Sequence, residues 1–166
     1  MDPDGFHYSD DVVVMPLQCA TQWDSLAHVK YGDQLYNGFP AGTITGDGAA
    51  HNSIDKIGPN VVTRGVLLDV ARSKGIKRLA AGTVITPDDL DATVAQQGVD
   101  VCSGDALLIR TGHITVFTED GDRPGYMRMM PGLGIDCVEW LHRHEIAAVA
   151  SDTMAVEVIP FEDMST

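Results

Sequence analysis

The run Gln18-Cys19-Ala20-Thr21-Gln22-Trp23-Asp24-Ser25-Leu26-Ala27-His28 sets how the rest of the chain is read. It follows Val12-Val13-Val14-Met15, a short apolar stretch that reads as a buried strand. Pro16 then closes the stretch, since it has no N–H to give to a ladder. Polar groups arrive in quick succession after it: Gln18, Thr21, Gln22, Asp24 and His28. A carboxylate and an imidazole four residues apart, beside carboxamides, suit a hard-to-borderline divalent cation or an acid–base pair. The same residues suit a polar loop in which Asp24 caps a helix running through Leu26 and His28. The residues alone leave both readings open.

Outward from this run, 31–60 is rich in Gly, Asn, Asp and Pro with no sustained period, which predicts a long loop. Such segments in compact domains are often lids or pocket walls, with disorder as the competing account. Tyr36, Phe39 and His51 are its candidates for a substrate-facing surface, although a histidine in such a loop is more commonly just solvated. The stretch 61–70 predicts a strand buried on both faces. Arg64 within it is expected to reach a carboxylate, because a buried guanidinium without a partner is expensive. Arg72, Lys74, Lys77 and Arg78 read as a solvated connection. Thr86-Pro87-Asp88-Asp89 starts a helix, with Thr86 as cap, Pro87 at the first position and the aspartates at the positive end of the dipole. Leu90, Val94 and Ala95 are its predicted core face, and Gly98 its end.

Ala106–Arg110 predicts another buried strand, followed by Thr111-Gly112 and His113. Residues past such strand ends often build sites, but His113 reads first as structural. A second polar loop is expected over 119–130, with Met127, Met129 and Met130 as gap fillers. A helix is expected over 135–144 with Ile135, Val138 and Leu141 on one face. His142 and His144 would diverge on it and make no metal pair. The strand expected over 146–150 delivers Ser151-Asp152-Thr153. Strands and helices in alternation predict an α/β fold with a partly parallel sheet.

A chain of 166 residues with 44% hydrophobic side chains fits one domain, 1–166, with a sizeable core. Eleven basic against 24 acidic residues give a net charge of −13, which opposes nucleic acid and anionic membranes. Cys19, Cys102 and Cys137 are odd in number and far apart, so a disulfide framework or zinc cluster is not expected and a reducing compartment is. No secretory leader or membrane span is legible, which makes the cytoplasm the expected location. Walker, dinucleotide-glycine and Gly-x-Ser-x-Gly motifs are lacking.

The central run resembles the signature of the metal-dependent cyclase family, His-x-Gly-Thr-His-x-Asp-x-x-x-His, which kynurenine formamidases and isatin hydrolase share. Thr21, Asp24 and His28 match it, while Gln18 and Gln22 stand in place of histidines and Ala20 in place of glycine. Further matches follow in order at Tyr36-Asn37-Gly38, 63–69, Gly104-Asp105, 108–112, Pro131-Gly132-Leu133 and Ser151-Asp152-Thr153. The resemblance implies a swivelling β/β/α-type domain, with a mixed sheet flanked by helices, in a homo-oligomer. It implies hydrolysis of an amide, lactam or ester bond in a small molecule by metal-activated water. On that pattern Asp24, Gln22 and Gln18 hold a divalent ion, manganese or zinc, and His28 moves the proton. Trp23, Tyr36 and His51 would face the substrate. The glutamines weaken the metal site, since a carboxamide offers only a neutral oxygen. Family members also run longer, so the chain is expected to be incomplete at one or both ends. The competing expectation is a non-catalytic member that binds a small molecule.

Overall fold

The computed structural model describes residue 5 and residues 7–162. They fall in two compact units, Met1–Val61 and Val62–Thr166.

The first unit holds little regular structure. The stretch 12–15 is not the expected buried strand: it is irregular, and Val14 is 93% exposed. Apolar character alone does not make a strand. A ladder partner is needed, and among the described residues nothing pairs with this stretch. A 3₁₀ turn follows at Leu17–Cys19. The segment 31–60 is the expected long loop, built from 3₁₀ turns at Tyr36–Gly38, Ala41–Thr43 and Ile54–Asn60. A minimal antiparallel hairpin joins β1 (Ile44–Thr45) to β2 (Gly48–Ala49). Leu35 is buried here, and its N–H donates to the Phe39 carbonyl at 2.8 Å.

The second unit is built on a parallel three-stranded sheet in the order β3 (Gly65–Asp69), β5 (Ala106–Arg110), β7 (Ala148–Ser151). Val66 lies opposite Leu107 and Leu68 opposite Ile109. Between β3 and β5 the chain forms a short helix, α1 (Val70–Ser73), a strand β4 (Val84–Ile85) and the helix α2 (Pro87–Gln97). Strand β4 pairs in parallel with β6 (Gly132–Leu133). The core sits on one face of the sheet, where Val66, Leu68, Leu107 and Ile109 meet Ile85, Leu90, Cys137 and Trp140. The two-faced burial expected for 61–70 is not observed. The strand alternates, with Leu67 half-exposed between buried neighbours, and Val62 lies outside it in solvent. Arg64 finds its carboxylate as expected, bonding Asp105 through Nε at 3.0 Å and Nη2 at 2.6 Å.

Local chemistry explains α2 fully. Thr86 and Asp89 cap each other's backbone in a capping box, and Gly98 closes the helix in the left-handed region at φ 62°. Leu90 is buried, whereas Ala95 is exposed and Thr93 takes its place inside. The Thr93 hydroxyl is satisfied by the Asp89 carbonyl at 2.7 Å. Past β5 come α3 (Ile114–Thr118) and α4 (Arg123–Arg128), the latter a helix where a loop was expected over 119–130. Asp122 caps α4 through the Gly125 N–H, and Pro124 sits in its first turn.

The last helix, α5 (Cys137–Arg143), turns Cys137 and Trp140 inward and leaves Ile135 and Val138 exposed, which corrects the expected face. Trp140 wins the core because its large ring is buried while its indole N–H still reaches Asp91 at 2.7 Å.

Candidate functional site

Asp24 does not cap a helix. Residues 26 and 27 form a turn, in which Ser25 accepts the His28 N–H through its carbonyl at 2.9 Å. The Ser25 hydroxyl also accepts the Ala27 N–H, at 3.3 Å. That turn brings His28 back over Asp24, with Nε2 3.7 Å from Oδ2 and both side chains about half-exposed. Gln18 donates from Nε2 to Asp24 Oδ1 at 3.0 Å. Gln22 donates from Nε2 to Gln18 Oε1 at 2.6 Å and to Asp24 Oδ2 at 3.4 Å. Gln18, Gln22, Asp24 and His28 therefore form one polar cluster around a single carboxylate.

The substrate-facing candidates are placed less tightly. Trp23 and Tyr36 are both more than half exposed. His51 stacks on Phe39, with ring centroids 4.2 Å apart and planes within 5°. The residue that ties these parts together is Asn52, which the sequence reading passed over. Its carbonyl accepts the Ala27 N–H at 3.1 Å, and its side-chain amide donates to the Tyr36 carbonyl at 2.8 Å. Its φ of 59° is left-handed, a conformation that asparagine tolerates better than most residues. An Asn between loop segments was the only signal available, and it is a weak one.

The divalent ion implied by the resemblance can be tested against these donors. Zinc favours thiolate and imidazole, and this cluster offers one imidazole and one carboxylate. A harder ion needs oxygen lone pairs turned inward. Here the amides turn their N–H groups to Asp24, and Gln18 Oε1 is taken up by Gln22. Among the described residues, no group of three or more His, Cys, Asp or Glu side chains is disposed to hold a metal ion. As hydrogen-bonded, the residues do not fit a divalent cation.

A second polar arrangement sits at the carboxyl ends of β5 and β7. Asp152 accepts the Thr111 N–H at 2.8 Å, the Thr111 hydroxyl at 2.6 Å and the Gly112 N–H at 2.7 Å. Gly112 is needed there: its φ is 77°, and a Cβ would run into the Lys77 carbonyl and the Arg78 backbone.

A parallel sheet with helices between its strands makes the second unit an α/β fold. The chain belongs to the Cyclase family, described as "Putative cyclase", whose model matches residues 3–158. Among solved structures it is similar to one described as a novel cyclase, at 36% identity and a TM-score of 0.85 over 95% of this chain and 54% of that one. The chain thus spans about half the length of that relative. It also shares a fold with isatin hydrolase A from Ralstonia solanacearum, at 24% identity and a TM-score of 0.52 over 64% of this chain and 41% of that one. No curated protein matches it. Among the described residues, no helix is long and apolar enough to cross a membrane.

Proposed function

We propose that this chain carries hydrolase-type chemistry on the carbonyl of a small amide, lactam or ester, with His28 as the proton carrier. Family membership supports the reaction class, and the Asp24–His28 pair is the single observation that carries the reading. His28 Nε2 lies 3.7 Å from Asp24 Oδ2, close enough for the carboxylate to orient the imidazole as a base for an attacking water. Gln18 and Gln22 hold Asp24 in place. Gln18 Nε2 keeps a second hydrogen, which suits donation to the oxyanion that develops on the attacked carbonyl. Trp23, Tyr36 and His51 are proposed to flank the substrate. A manganese or zinc ion would supply Lewis-acid activation, but the amides as hydrogen-bonded do not fit it.

That same misfit favours a second reading, in which the chain binds a small molecule without turning it over. Assays on an aryl formamide, a lactam and an aryl ester separate the two. His28→Ala is expected to abolish hydrolysis of whichever is cleaved, with the circular dichroism spectrum unchanged. Equal turnover by wild type and variant would reject the assignment of His28, and no turnover on any of the three would favour the binding module.

A further inference from the structure

His113 lies three residues past the end of β5 and is 1% exposed. Its backbone N–H donates to the Thr111 hydroxyl at 3.0 Å, which ties it to the Asp152 bonds at the sheet's carboxyl edge. Its Nε2 lies 3.1 Å from the Tyr126 carbonyl. A carbonyl only accepts, so Nε2 carries a proton, and in the singly protonated ring Nδ1 is a bare acceptor. That Nδ1 is buried without a hydrogen-bond partner. Buried acceptors left unpaired are rare and call for a use, either an ordered water or a ligand.

One face of the ring is covered from α4. Tyr126 of α4 stacks on the His113 ring, with centroids 5.2 Å apart. Phe117 meets Tyr126 edge-on, and the Arg123 guanidinium sits 5.1 Å above Phe117. Yet α4 is only six residues long and buries none of them. A segment with few buried contacts opens at low free energy. The positive groups near the ring are engaged elsewhere: Arg123 sits over Phe117, and Arg78, bonded to the Thr115 hydroxyl, is paired with Asp120. An anionic ligand is therefore unsuited, and so is a ligand that can only accept.

We propose that His113 Nδ1, at the carboxyl edge of the parallel sheet beneath α4, is the acceptor of a binding site for a small neutral hydrogen-bond donor of the hydroxyl or amide N–H class. Tyr126 is its lid and Asp152, through Thr111, its positioning residue. The carboxyl ends of parallel strands are where α/β proteins place ligands, so the location agrees with the chemistry. This site is argued from the second unit alone and does not rest on the Asp24–His28 reading.

The test is nitrogen-15 NMR of the histidine side chains in the full chain, with His113 assigned by loss of its signals in His113→Gln. If that variant does not fold, substitution of His7, His28, His51, His142 and His144 in turn assigns it by elimination. In the free protein, His113 is expected as the Nε2–H tautomer with Nδ1 at the downfield position of an unbonded nitrogen. Titration with acetamide and, separately, with phenol is expected to move Nδ1 upfield saturably. The probe that does so tells an amide from a hydroxyl donor. Tyr126→Ala should tighten the titration by removing the lid. The proposal is overturned if Nδ1 is already at the hydrogen-bonded position in the free protein, which would mean an internal water fills the place. It is overturned equally if neither probe shifts it, or if the shift is unsaturable and shared by the exposed histidines.

Discussion

Asp24 accepts hydrogens from two carboxamides and faces an imidazole, and this predicts how the chain should respond to metal. Calorimetric titration with Mn²⁺ or Zn²⁺ is expected to show no tight site, because binding would first have to turn both amides. Gln18→His/Gln22→His should gain zinc affinity, since imidazole nitrogen is the better donor to a borderline ion. The gain is limited by whether each new ring finds an acceptor for its second nitrogen. A tight wild-type site would reject the hydrogen-bonded arrangement. Asp105 is the other carboxylate with a clear prediction. The Arg64 guanidinium, then the Cys102 N–H, hold its carboxyl below the ordinary value of 3.8. A folded-state value below the unfolded one stabilises the protein at higher pH, and that stabilisation is lost as pH falls through the folded value. Asp105→Asn should therefore melt lower than wild type near neutrality. The gap should close under acid conditions, and a gap independent of pH would remove the ion pair as its cause.

Elements whose cause is local were legible, and those whose cause is distant were not. Helix α2 announces itself in Thr86, Pro87, Asp89 and Gly98, and the structure uses each as a cap or terminus. Thr86→Ala is expected to cost about 0.5–2 kcal/mol, measured by urea denaturation. The parallel pairing of β3, β5 and β7 agrees with the partly parallel sheet that alternation along the chain predicts. By contrast, the inward face of α5 depends on Asp91 being there to take the Trp140 N–H, which no spacing in 135–144 reveals. The strand expected at 12–15 needs a partner that periodicity cannot supply. The candidate site divides in the same way. The four-residue spacing put Asp24 beside His28, whereas the bonds from Asn52 to Ala27 and Tyr36 span 16 residues or more and left no pattern to read. Core packing gives a firmer forecast: Leu68 is fully buried on the inner face of the sheet, so Leu68→Ala should lose roughly 2–5 kcal/mol.

Across the whole molecule two forces oppose each other. The net charge of −13 makes copies repel, while Val12, Val13, Val14, Val62, Leu67 and Leu108 leave apolar surface in water. Repulsion between surface charges reaches about 30 Å at 0.01 M salt and about 3 Å at 1 M, whereas apolar contact does not depend on that range. The homo-oligomer implied by the family resemblance is therefore expected to be salt-dependent. Sedimentation velocity should show smaller species at low salt and larger ones as salt rises. Lowering the pH toward the isoelectric point of about 4.5 should act in the same direction, by removing the charge instead of screening it. Val13→Glu/Val14→Glu places two more like charges in the most exposed apolar run and should restore the small species at high salt. If the double variant associates as wild type does, 12–14 is not the contact. If wild type sediments as one species at every salt concentration, charge repulsion does not control its assembly.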